Sequence, residues 1–278
     1  MKESVLNFAC EGQPLVGILA EPDGALAEVG IIIIVGGPQY RAGSHRQFTL
    51  LARHLAAHGH AVLRFDYRSM GDSPGDARDF LGVDADIAAA IDALLAARPA
   101  LKRVVLWGLC DAASAALLYL ESRQDARVAG LALLNPWARS AATLAQAHVK
   151  HYYWRRLREK EFWLKLLKGG VGAKALRSLG SNLALARGAG KKSDSRSFQD
   201  RMAAGLRGFG GPALLILSGD DYTAREFSLH AQGSPAWAGL LEASGLRCEA
   251  LAEADHTFSD LGQAAKVEAI TLNWLREI

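Results

Sequence analysis

Cysteine is scarce in this chain: Cys10, Cys110 and Cys248 are the only three in 278 residues. An odd number with no close spacing builds neither a disulfide framework nor a zinc site, so the pattern suits a reducing compartment. Long apolar runs are also missing. The most apolar stretch, Ile31-Ile32-Ile33-Ile34-Val35, falls far short of the roughly 18 residues of a membrane-spanning helix. No charged-then-apolar leader opens the chain, since Met1-Lys2-Glu3-Ser4-Val5 runs into an alternating, strand-like stretch; the expected location is cytoplasmic. Phosphate-loop, dinucleotide and zinc motifs are absent, so no cofactor or metal is expected. No nucleic-acid-binding module is recognisable either, and no nucleic-acid partner is expected.

What is present is apolar and regular. Half the residues are apolar, enough for one large α/β domain with an insertion. A strand pair near residues 3 to 20 comes first, then the β-branched Ile31 run, which reads as a strand buried on both faces. A helix from about Arg46 to Ala57, a strand over Ala61–Arg68 and a helix from about Asp84 to Ala97 follow. Two more strands lie around Val104–Leu109 and Val128–Leu134. Alternation of this kind predicts a mostly parallel central sheet with helices on both faces.

The rhythm stops at Trp137 and resumes at Ala213. The sequence therefore predicts a core from residues 1–136 and 211–278, with 137–210 as an inserted helical cap. Charge marks the same segment: it holds 16 of the 32 Lys and Arg but 4 of the 29 Asp and Glu, a balance of +12 against −9 elsewhere. A basic cap suits an anionic substrate or an anionic membrane surface. Tyr152, Tyr153, Trp154, Phe162 and Trp163 fit an interfacial helix or an ordinary packing face equally. Arg187–Ser195 has the composition of a linker.

The chemistry-bearing candidates fall at strand ends. Val104-Val105-Leu106-Trp107-Gly108-Leu109-Cys110-Asp111-Ala112-Ala113-Ser114 reads as strand, sharp turn and helix, with a cysteine at the apex. Small residues two before and two after that apex suit a turn whose backbone passes close to its neighbours. Pro212–Ser218 is an apolar strand ending in Gly219-Asp220-Asp221, and an acid at a strand end can orient a histidine. A short alternating strand then leads to Asp255-His256. Of eight histidines, His256 alone follows the acid strand. Asp255 points to the opposite side from its neighbour in an extended segment, which suits it poorly to orient that imidazole.

Nucleophile, acid and base in that chain order is the arrangement of the α/β-hydrolases. There, the loop after the Ile31 strand, Gly36-Gly37-Pro38-Gln39, supplies one oxyanion donor and the amide after the nucleophile the other. The expected donors are the N–H groups of Gly37 and Asp111; Pro38 has none, which leaves Gln39 as the alternative. Gln39, Arg41 and, at the start of the cap, Trp137 are candidate substrate contacts, while Ser44, His45 and Arg46 follow near the pocket mouth. Asp66 and Arg68 are expected to tie loops together rather than to act on substrate.

Taken together, "IIIIVGGPQYRAGSHRQF", "RFDYRSMGDSPG", "VVLWGLCDAAS", "LLILSGDDYTAREF" and "ADHTFSD" make the chain similar, nearly end to end, to the small α/β-hydrolases associated with the exosortase A and exopolysaccharide systems of bacteria. The resemblance implies a cysteine nucleophile, as in dienelactone hydrolases. By it Cys110, His256 and an acid of the Gly219-Asp220-Asp221 turn take triad roles, and a Gly-x-Asp pattern favours Asp221 over Asp220. It implies a small-molecule ester or thioester as substrate, with acyl transfer to a sugar hydroxyl as an alternative. A binding module on the same fold and a membrane-peripheral accessory protein are the rivals, and neither substrate nor oligomeric state is legible.

Overall fold

The computed structural model describes residues 1–37, 39–139 and 196–278. One compact unit comprises Met1–Ala138 and Arg196–Ile278, and Arg139–Ser195 forms a second. The predicted cap helix with its aromatics, and the linker-like Arg187–Ser195, lie outside the described residues.

Eight strands form one sheet: β1 (Lys2–Cys10), β2 (Gln13–Glu21), β3 (Val29–Ile34), β4 (Val62–Asp66), β5 (Arg103–Leu109), β6 (Val128–Leu134), β7 (Ala213–Asp220) and β8 (Leu246–Asp255). Their spatial order is β1-β2-β4-β3-β5-β6-β7-β8. β1 and β2 make an antiparallel hairpin whose two-residue turn, Glu11-Gly12, has positive φ at both positions, as a tight hairpin requires. β2 pairs antiparallel with β4, and every later pairing is parallel.

The burial pattern follows the sequence. In β3, Ile31 to Ile34 are all fully buried because β4 and β5 flank the strand and helices cover both sheet faces. Removing one such side chain from water is worth about 1.5–3 kcal/mol. β1 sits at an edge and alternates between exposed and half-buried positions instead. The connecting helices among the described residues are α1 (Gln47–Ala57), α2 (Asp84–Ala97), α3 (Asp111–Arg123), α4 (Phe198–Phe209), α5 (Tyr222–Gly233) and α6 (Leu261–Leu275). None of them is long and apolar enough to cross a membrane.

The unit boundary differs from the sequence expectation. Residues 196–210 were expected in the cap, yet α4 belongs to the core unit. Its Met202 and Ala203 are fully buried, and Arg201 reaches Glu121 on α3 with two bonds of 3.0 and 3.1 Å. Trp237 donates its indole N–H to Gln199 O at 3.1 Å. In the sequence, the three charged residues of α4, Asp200, Arg201 and Arg207, blend into the charged segment before it.

All parallel strands point the same way, so the segments leaving β3, β5, β6, β7 and β8 meet along one sheet edge. That edge is where a ligand finds a crevice in a sheet of this type.

Candidate active site

The turn after β5 is tightly built. Cys110 has φ 63° and ψ −126°, a conformation that side-chain-bearing residues rarely adopt, and α3 starts at the next residue. Neighbouring backbone over-determines this strain: Cys110 N–H donates to Leu134 O at 2.8 Å, and Cys110 O accepts from Trp137 N–H at 3.2 Å. Gly108 is required by close approach, since a Cβ there would lie 2.6 Å from the carbonyl carbon of Ala112. Cys110 is half-buried and unpaired with any other cysteine.

The acid and the histidine follow β7 and β8, on the far side of β6 from the Cys110 turn. Asp221, just beyond β7, is the N-cap of α5, accepting from Thr223 N–H at 3.0 Å and Ala224 N–H at 3.1 Å. His256 Nδ1 lies 2.8 Å from Asp221 Oδ2, and Cys110 is close enough to the imidazole to act on its protonation. Cys110, His256 and Asp221 are thus brought together in one chain of contacts. The Asp221 bond, then the neighbouring Cys110, raise the imidazole pKa from 6.5 to about 10 despite the opposing effect of burial. Burial pushes the Asp221 carboxyl upward, but His256 and the two amides outweigh it and hold the pKa below its ordinary value.

Neither neighbouring carboxylate takes the Asp221 position. Asp220 is exposed at the end of β7. Asp255 binds its own loop, accepting from the N–H groups of Thr257 at 3.1 Å and Ser259 at 2.9 Å and from the Ser259 hydroxyl.

The Gly-Gly loop after β3 reaches the same place, with one departure from expectation. Gly37 N–H, expected to face a substrate, donates to Asp111 Oδ1 at 2.7 Å. Burial raises the Asp111 carboxyl pKa, against stabilising amides of Gly37, Ala112 and Asp111 itself. Gln39 is half-buried, its side-chain Oε1 is enclosed without a partner, and Pro38 lies outside the described residues.

Arg41, a candidate substrate contact, is ion-paired within the protein. Its guanidinium binds Asp66 and, at 2.6 Å, Asp72, while its backbone N–H donates to Asp66 Oδ1 at 2.7 Å. Asp66 also accepts Asp72 N–H at 3.0 Å, so this fully buried carboxylate joins two loops. Arg68 meets buried Asp86 through Nε and Nη2, each at 2.9 Å. Trp137 is half-buried, and its backbone binds the Cys110 turn and α3, its N–H donating to Cys110 O at 3.2 Å and its C=O accepting from Ser114 Oγ at 2.8 Å.

One contributor went unread in the sequence. Asn135, fully buried after β6, donates through Nδ2 to Ser218 Oγ at 2.8 Å and His256 O at 3.1 Å, and accepts Ser218 N–H at 2.8 Å. Ser218 Oγ in turn donates to Asp255 O at 2.9 Å. The available signals were a polar residue closing the apolar run Val128–Leu134 and a serine inside apolar β7.

A profile of the Alpha/beta hydrolase family matches residues 31–269. The chain belongs to that family. This α/β-hydrolase has no match among curated proteins. Among solved structures it superposes on the Pyrococcus furiosus esterase Pf2001 with a TM-score of 0.65 at 15% identity, covering 99% of this chain and 92% of that one. A dienelactone hydrolase from Anabaena variabilis gives 0.62 at 16% identity, covering 99% and 97%. XC6422 from Xanthomonas campestris, an α/β serine hydrolase without a lid, gives 0.60 at 16% identity, covering 100% and 95%. At such identities these likenesses show a shared fold, and the family membership makes the chain a hydrolase-class enzyme.

Proposed function

We propose that this α/β-hydrolase cleaves a carboxylic ester or thioester through a Cys110–His256–Asp221 triad and an acyl-enzyme. The observation that carries the reading is His256, hydrogen-bonded to Asp221 through Nδ1 and close enough to Cys110 for both groups to raise its pKa. His256, whose raised pKa favours the imidazolium at neutral pH, holds the proton that leaves the thiol while the sulfur attacks the carbonyl carbon, and Asp221 stabilises that imidazolium. The oxyanion is stabilised by backbone amides at the start of α3 and in the Gly-Gly loop. Collapse expels the alcohol or thiol, which receives the proton from His256. Water, giving a proton back to His256, then attacks the thioester; the acid leaves and the thiol is restored.

Sulfur chemistry narrows the substrate. A thiolate is itself a good leaving group, so the intermediate reverts unless the substrate's leaving group is better. Thioesters, lactones, enol esters and esters of acidic alcohols fit, and plain amides do not. The charge of +12 on residues 137–210 favours an anionic acyl compound, and also contact with an anionic membrane surface. The motif resemblance adds a setting in exosortase-linked exopolysaccharide metabolism, where a sugar hydroxyl replaces water in an acyl-transfer variant. Free Cys10, Cys110 and Cys248 suit a cytoplasmic address.

The test mixes wild type and Cys110→Ala with a p-nitrophenyl short-chain ester, following release by absorbance and the protein by intact-mass spectrometry. An acyl adduct on wild type that is missing from the variant is expected. Equal turnover by both proteins would overturn the cysteine mechanism. Co-sedimentation with anionic and neutral vesicles checks the membrane contact, which predicts pelleting with the anionic vesicles alone.

A further inference from the structure

The donors that an oxyanion needs are occupied from within. In the layout derived above, the N–H groups of Gly37 and Asp111 face the carbonyl oxygen of a substrate. In the chain at rest, Gly37 N–H is 2.7 Å from Asp111 Oδ1, and the same carboxylate is stabilised by the amides of Asp111 and Ala112. Space has been made for it. A Cβ on Gly36 would stand 2.4 Å from Asp111 Oδ1, so the oxygen rests in the niche left by a missing side chain. A carboxylate oxygen and a tetrahedral oxyanion agree in charge, size and need for donors, so the two exclude each other at one amide.

We propose that Asp111 is the resting occupant of the oxyanion site and a specificity-determining residue: its carboxylate must leave Gly37 before an acyl oxygen can use that amide. The proposal rests on the reading of Cys110 as nucleophile. It specifies a substrate class. Displacing the carboxylate draws on binding energy, which a short simple ester lacks and a substrate with binding groups far from its carbonyl supplies. Acyl groups on large carriers are therefore turned over well, and small esters slowly, though still through a Cys110 adduct.

The experiment compares wild type, Asp111→Ala, Asp111→Ser and Cys110→Ala with p-nitrophenyl acetate, with and without sodium formate, alongside melting temperatures. Removing one oxyanion donor typically costs 10²–10³ in rate, so freeing one should raise kcat/KM of Asp111→Ala by about tenfold or more. The vacated niche should also accept a small carboxylate: formate should inhibit Asp111→Ala competitively and leave wild type unaffected. Asp111→Ser, too short to reach Gly37 but suited to a helix first turn, should behave like the alanine variant and serves if that one does not fold. A fall in kcat/KM at unchanged melting temperature, or no gain in formate sensitivity, would overturn the proposal and leave Asp111 as an anchor of the Gly-Gly loop. The two readings fail separately. Acylation that needs Cys110 but is no faster without Asp111 sinks this inference alone, whereas absence of any adduct in wild type and Asp111 variants sinks both.

Discussion

Replacing Asp221 with asparagine separates its two jobs, capping a helix and holding an imidazolium. The carboxylate is almost fully buried and receives three donors: Thr223 N–H on Oδ1, and Ala224 N–H and His256 on Oδ2. Asparagine is itself a favoured N-cap, so one amide bond survives and the loss at α5 should be about 1 kcal/mol. The imidazole fares worse. The side-chain NH2 offers His256 a donor where an acceptor stood, and the largest contribution to a pKa of about 10 disappears. In a related arrangement the same change lowers kcat roughly 10⁴-fold because the histidine is held in the wrong tautomer; a loss of about 10³ or more is expected here. Urea unfolding and ester turnover measured on one preparation give both quantities. Retention of more than about a tenth of wild-type turnover, against that roughly 10³-fold expectation, would refute the assignment, and so would a larger loss from Asp220→Asn.

Three further outcomes follow from the geometry. Gly108→Ala drives a methyl group to 2.6 Å from the Ala112 backbone; it should cost about 1–3 kcal/mol or more in urea unfolding and slow alkylation of Cys110 by iodoacetamide. An unchanged midpoint would show that the elbow has slack. Asn135→Ala strips partners from Ser218 N–H and His256 O, at about 1–3 kcal/mol for each buried group left unpaired; loss of turnover without loss of stability would contradict this scaffolding role. The pH dependence has a definite sign. His256 is raised from 6.5 to about 10, so its stabilisation is complete below 6.5 and is lost as pH rises through 10. Asp221 is held below 3.8, so its contribution is present above 3.8 and is lost as pH falls through the depressed value. The melting-temperature gap between wild type and His256→Ala should be widest near pH 4–6.5 and narrow toward pH 10, and a gap that widens in alkali would count against the ion pair.

The strands and their order along the chain were legible because burial leaves a composition. Ile31–Ile34 and Val128–Leu134 are fully enclosed by neighbours and therefore apolar throughout, and Asp84–Ala97 carries helix formers between an acidic start and a break. The tight turn at Cys110 was legible for a steric reason: only glycine fits at 108. Side-chain economy was not. Nothing in the spacing says that Arg41 would be consumed by Asp66 and Asp72, because that triangle closes between loops 25 and 31 residues apart. The Gly37 amide was expected to be free for the same reason, since its occupant is 74 residues away. Helix α4 follows a strongly basic segment in the sequence, and only packing shows its Met202 and Ala203 to be buried in the core.

The cross-link at Asn135 explains how three separate loops hold one geometry. Cys110 hangs from β5, Asp221 from β7 and His256 from β8, and the strand between the first two, β6, carries none of the three. Its end is nevertheless the fixed point. Leu134 O receives Cys110 N–H, and the next residue binds Ser218 on β7 and His256 O beyond β8. Asn135 adopts a φ of 43°, which an asparagine tolerates better than most residues. A displacement of β6 relative to its neighbours would therefore move Cys110 and His256 together. The spacing of Cys110, Asp221 and His256 therefore depends on a buried amide that is none of the three.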